Sequence, residues 1–239
     1  MSALAFASFS LLFVLLFGLF LFAAIFIHEI GHWLAMRATG QPRPRIVLIP
    51  FFGGAAVPNH PYKTQFDHAF VALAGAGFSV LPCLGLLAVA LALNTPEIAK
   101  AAKMAPSDLL WYENHRQWLL MVIVVAAVNA LQLLPMLPLD GGHVLKTIMQ
   151  SVAARRARIV LLVLAGLGFA GFAILGDYIL AAFLAVGAMQ AWHVGDETPD
   201  ARPMGASGIT AIGASYALIL GIHGGVLVYS FRLLGVDLI

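Results

Sequence analysis

From Leu4 to Ala35 the chain carries one formally charged side chain, Glu29. A run this long and this apolar can cross a bilayer with some tilt. It constrains the fold more than any other stretch, because backbone that enters lipid must satisfy its own hydrogen bonds and therefore coils into a helix. Glu29 lies near the C-terminal end of the run, inside Phe26-Ile27-His28-Glu29-Ile30-Gly31-His32-Trp33. On a helix His28 and His32 share a face and can hold one metal ion between them. Glu29 lies beside them, placed to take a proton from water at that ion. Titratable groups are costly in hydrocarbon and are rarely left there without a partner or a use. The bland alternative is a chance match with two buried, hydrogen-bonded histidines.

The rest of the chain is built the same way. It is 62% hydrophobic and 10% charged, where a soluble domain carries about 25% charged residues. The expected fold is all-α and multi-pass, with about six transmembrane helices. The single cysteine, Cys83, excludes an intrachain disulfide framework and leaves His and carboxylate to hold any metal. The N-terminus lacks the basic start of a signal peptide. No basic–aromatic stripe points to nucleic acid.

After the first span, Gly40, Pro42 and Pro44 stop the helix. Residues 45–61 then read as extended: Ile46-Val47-Leu48-Ile49, followed after Pro50 by Phe51-Phe52-Gly53-Gly54-Ala55-Ala56-Val57. A run–Gly-Gly–run pattern predicts a short hairpin. It is too apolar for water, so it is expected as a membrane-embedded re-entrant loop beside the metal site, with an edge open to strand addition by a peptide. The competing reading is an ordinary interfacial loop. A second span is expected from Ala69 to Leu93, with Gly75 and Gly77 as close-packing residues. The polar connection from Asn94 to Gln117 offers helix starts at Thr95 and Pro106.

A third span, from Trp118 to Leu134, runs into Pro135-Met136-Leu137-Pro138-Leu139-Asp140-Gly141-Gly142-His143. Two prolines and two glycines break a helix at membrane depth, and Asp140 sits in the break. An intramembrane Asp is a functional candidate by default. A catalytic zinc site takes three protein ligands and one open position, and Asp140 is the best third partner for His28 and His32. Residues 159–193 are expected as a hairpin of two short spans split at Gly176-Asp177, with one long kinked helix as the alternative. Ile209 to Phe231 forms the last span, in which His223 reads as a packed residue.

Together, His28-Glu29-x-x-His32 in one span and Leu139-Asp140-Gly141-Gly142 ending a later one resemble the site-2 protease family of intramembrane zinc metalloproteases. The resemblance covers most of residues 20–150. It implies that His28, His32 and Asp140 bind one zinc ion (Zn2+) and that Glu29 is the catalytic base. Gly53 and Gly54 resemble the family's membrane-embedded hairpin, which helps to present substrate. Ala74-Gly75-Ala76-Gly77 resembles its Ala-Gly-Pro stretch, with Ala76 where proline is usual and Ser79 where Asn often follows. Three residues before Pro135 the family usually has Asn; here Gln132 stands there. Its amide can also serve the oxyanion, although one more methylene shifts it by about 1.5 Å. Asn129, one turn earlier on the same face, is the alternative. The family's periplasmic insertion and nucleotide-sensing domain are not recognised, so the chain resembles a bare catalytic core.

These readings divide the chain into a catalytic core, 1–158, holding three spans and the re-entrant hairpin 45–61, and additional transmembrane helices, 159–239. The implied activity is hydrolysis of peptide bonds in or near transmembrane segments of membrane-tethered proteins. The lipid bilayer is the surrounding partner, and there is room for a regulatory membrane partner. With six spans, nine Lys and Arg fall on one side and four on the other. That puts the metal end of span one near the cytoplasm, in a cell membrane that reads as a bacterial inner membrane. Two other classes use the same residues: a metal-ion transporter, and a catalytically inactive membrane scaffold.

Overall fold

The computed structural model describes residues 3–49, 53–93, 106–194 and 201–234. It is mostly helical. In chain order the elements are α1 (Ala3–Ala38), β1 (Arg45–Ile49), β2 (Gly53–Val57), α2 (Gln65–Phe78), α3 (Val80–Leu93), α4 (Pro106–Gln132), α5 (Asp140–Val152), α6 (Ala154–Ile174), α7 (Tyr178–Trp192) and α8 (Ala206–Leu233). The helix start proposed at Thr95 lies outside the described residues; the one at Pro106 opens α4.

Among the described residues, four helical stretches are long and apolar enough to cross a membrane: Phe17–Ala38, Gln65–Ala92, Ala154–Ile174 and Ala206–Leu233. Two more, Gln117–Gln132 and Tyr178–Trp192, are apolar but shorter. Leu19, Leu167 and Leu218, on α1, α6 and α8, are each more than 60% exposed. Such outward apolar side chains on three helices suit lipid rather than water. The Gly176-Asp177 break does divide α6 from α7. Gly176 turns the chain at φ +81°, a conformation glycine adopts without steric cost. Asp177 then caps α7 by accepting from the Leu180 N–H at 3.1 Å.

α1 ends as its residues predict. Gly40 takes φ +83°, and the Gln41 N–H reaches back to the Met36 carbonyl at 2.9 Å. β1 and β2 then pair antiparallel, Arg45 opposite Val57 and Ile49 opposite Gly53. The expected Gly-Gly turn is corrected here: Gly53 and Gly54 lie inside β2, opposite Ile49 and Leu48. The reason is a close approach at Gly54, where an added Cβ would meet Glu29 Cγ at 2.5 Å and Cδ at 2.8 Å. Glycine lets the strand lie directly on the metal motif.

α2 is the central helix. It packs against α1 on one side and α5 on the other, and also touches α8. Ala69, Ala72, Leu73 and Ala76 of α2 share a core with Leu133, Val144, Met204 and Ile212. Its start is capped by Thr64, whose hydroxyl accepts from the Asp67 N–H. A short bridge also ties it down: the Gln65 N–H donates to Arg202 O at 2.8 Å, and the Arg202 N–H donates to Lys63 O at 3.0 Å. His223 is fully buried and hydrogen-bonds the Ala76 carbonyl at 3.0 Å, a packing role.

Prolines 135 and 138 keep the chain out of helix between α4 and α5, and α5 begins at Asp140. This break is clamped from behind by the α6–α7 hairpin. A Cβ on Gly187 of α7 would overlap the Leu137 carbonyl, and one on Gly168 of α6 would overlap Met136 Sδ. The C-terminal hairpin thus sets where Asp140 stands.

Candidate metal centre

His28 and His32 fall on the face of α1 that meets α2, and both are buried. Their Nε2 atoms are 3.0 Å apart. Asp140, at the first position of α5, places Oδ2 at 3.0 Å from His28 Nε2 and 3.2 Å from His32 Nε2. The three donors therefore form a nearly equilateral triangle. Bonds of about 2.0 Å around a tetrahedral zinc ion give edges of about 3.3 Å, so the donor set fits that ion.

The far nitrogens orient the rings. His32 Nδ1 donates to the Val71 carbonyl at 2.7 Å. His28 Nδ1 is 2.9 Å from Asn129 Oδ1, and the Asn129 amide donates to the Val125 carbonyl at 2.8 Å. A ring whose Nδ1 carries the proton presents a lone pair at Nε2. Two such lone pairs and a carboxylate oxygen then converge on one point, an arrangement that a cation relieves.

Gly75 of α2 shapes that point. A Cβ there would overlap the Nε2 atoms of both histidines, so the residue keeps the space in front of the donors open. The close-packing role expected of Gly75 is thus only part of its work. Gly31 does fill such a role, since a Cβ on it would meet Phe78 Cβ at 2.7 Å and the Ala74 carbonyl.

Glu29 also lies among the donors: its carboxylate and the two imidazoles are all within 4.8 Å of one another. Two carboxylates thus compete for the third place. Geometry separates them. Asp140 closes the triangle, whereas Glu29 lies against Gly54, with the Ala56 N–H facing its carboxylate. Glu29 Oε2 is buried and has no hydrogen-bond partner among the described residues. A buried, unpartnered carboxylate oxygen beside a cluster of donors is an acceptor held ready for a proton.

The residues expected at the oxyanion separate as well. Asn129 turns its carbonyl to His28 and its amide to the Val125 carbonyl. Gln132 is half-buried at the end of α4, and its side chain makes no hydrogen bond among the described residues. Gly54 lies on Glu29, and Gly53 is one step further along β2, paired with Ile49. Beyond Asp140 lies an aromatic stack that the sequence did not signal. The His143 and His68 rings are 5.6 Å apart, and Tyr62 stacks on His68 at 4.6 Å. Burial pushes the Tyr62 hydroxyl up to about 12, so it stays protonated.

The chain is 31% identical, over 161 residues, to the provisionally named zinc metalloprotease sll0528 of Synechocystis sp.. The matched stretch is 67% of this chain and 38% of that relative's length. This likeness supports the site-2 protease resemblance. No protein-family model matches the chain, and no solved structure does.

The open volume at Gly75 is testable on its own. Gly75→Ala is expected to abolish stoichiometric zinc binding, because the methyl group must push both Nε2 atoms apart. Overpacking of this kind costs about 1–3 kcal/mol of stability. Metal analysis with a thermal unfolding curve reads both effects. Unchanged zinc content in the alanine chain contradicts the placement of Gly75.

Proposed function

We propose that the chain is an intramembrane zinc metalloprotease that hydrolyses peptide bonds within or near transmembrane segments of membrane-tethered proteins. The observation that carries the proposal is the donor triangle of His28, His32 and Asp140 with the unpartnered Glu29 oxygen beside it. The named relative adds support for zinc and for proteolysis. Under this reading α4 and α7 complete six spans, and the β1–β2 hairpin enters the membrane next to the site. The charge distribution supports an active site nearer the cytoplasmic side.

Zinc held by His28, His32 and Asp140 supplies Lewis acidity, polarising the scissile carbonyl and acidifying water. The protein's own groups do the rest. Glu29 removes a proton from the attacking water through Oε2 as the oxygen bonds to the carbonyl carbon. As the C–N bond breaks, Glu29 returns that proton to the leaving amine nitrogen. Gln132, whose amide has no hydrogen-bond partner among the described residues, is the candidate donor to the oxyanion. The edge of β2 that β1 does not pair suits an extended substrate segment added as a further strand. The substrate helix must unwind first, because its carbonyls are otherwise tied up in i to i−4 hydrogen bonds.

The test is cleavage of a Gly- and Pro-containing transmembrane peptide by the purified chain in detergent. Chelation is expected to stop cleavage and one equivalent of zinc to restore it. A zinc-loaded chain that cleaves no such peptide but carries zinc into vesicles overturns the proposal in favour of transport. Failure of the folded chain to bind zinc overturns the metal centre itself.

A further inference from the structure

We infer that Asn129 is the positioning residue for His28: it sets which ring nitrogen His28 offers to the metal, and it does not serve the oxyanion. The inference rests on the metalloprotease reading above and adds a role to one of its residues. Asn129 is buried on α4, 2% exposed. Its Nδ2 group donates to Val125 O, the carbonyl one turn earlier on the same helix, at 2.8 Å. That bond orients the amide, because only the NH2 end can donate to a carbonyl. The other end, Oδ1, is then held 2.9 Å from His28 Nδ1. Oδ1 is an acceptor only, so the pair forms when Nδ1 carries the hydrogen. Nε2 is left as the lone-pair atom, and it is the atom that faces His32 Nε2 and Asp140 Oδ2.

The two histidines are held by different means. For His32 the partner is the Val71 backbone carbonyl, which no substitution at that position removes. For His28 it is a side chain. Control of the site's geometry by one mutable group therefore falls on the His28 half. Asn129 also joins α4 to α1 across 101 residues of sequence, so it couples the third span to the metal motif.

A residue acting on the oxyanion would change the rate of hydrolysis and leave metal affinity alone. A residue that orients a ligand changes affinity. Loss of such an outer partner typically weakens metal binding 10–100-fold. The experiment titrates zinc against a competing chelator in wild type, Asn129→Leu and Asn129→Asp, and records the visible spectrum of each chain loaded with cobalt(II). Asn129→Leu is expected to lose about 10–100-fold in affinity and to change the cobalt spectrum. Asn129→Asp keeps an acceptor for Nδ1–H and is expected to restore both, a rescue that a merely structural role does not predict. Where the leucine chain does not fold, Asn129→Ala, which needs no added space, repeats the measurement. Wild-type affinity in the leucine or alanine chain overturns the inference while the metalloprotease reading stands. Absence of zinc binding in wild type overturns both.

Discussion

Glu29→Gln leaves zinc bound and stops hydrolysis. Glutamine keeps the volume that fits against Gly54, and its amide oxygen can still face the Ala56 N–H. The donor triangle contains no atom of Glu29, so zinc affinity is expected to stay near that of wild type. What disappears is the base. An amide cannot take a proton from water at neutral pH, and removing a positioned general base costs about 10²–10⁴-fold in rate. The measurement pairs zinc content with cleavage of the transmembrane peptide. Cleavage at the wild-type rate with zinc bound excludes Glu29 as the base. Loss of zinc together with cleavage instead assigns Glu29 to the ligand set in place of Asp140.

Asp140→Asn separates the same two carboxylates from the other side. Its Oδ2 stands within 3.2 Å of both Nε2 atoms. Asparagine is nearly isosteric but neutral, and its NH2 group can donate to the histidine lone pairs, so the metal-free chain is expected to fold as well as wild type. Zinc binding is expected to weaken beyond the roughly 10–100-fold that loss of an outer partner costs, because a charged donor is lost. Cleavage should fall with it. Thermal unfolding of the metal-free chain, beside zinc titration, distinguishes this outcome from misfolding. Unimpaired zinc binding in Asp140→Asn removes Asp140 from the centre.

Much of this architecture was legible in the residues, for local reasons. A helix repeats its faces every few residues, so His28 and His32 had to fall on one side of α1 wherever α1 packed. Pro135 and Pro138 had to end helical structure before Asp140, and Gly176-Asp177 had to divide α6 from α7. The apolar runs pointed to helices in lipid before any contact was known. The extended pair after α1 was also legible, but its turn was misplaced. Glycine in a sequence signals freedom of the backbone, and only the packing of β2 on Glu29 shows that Gly54 is needed for closeness rather than for a turn.

The partners were decided by tertiary structure. Asp140 meets His28 across 112 residues, and Val71 meets His32 across 39. No local period encodes such separations. They follow from α2 packing between α1 and α5, and from the α6–α7 hairpin backing the proline break. Asn129 shows the difference most clearly. Its position on α4 placed it near the site, and its amide suited an oxyanion as well as a histidine. Which one it serves depends on the angle at which α4 meets α1. On that side Leu119, Val122, Val125 and Ala126 of α4 share a core with Cys83, Ala90 and Val226, against which Phe20 and Ala24 of α1 pack. The sequence by itself determined the groups that can do this chemistry; only the packing of the helices decided which nitrogen, oxygen and glycine stand within bonding distance of each other.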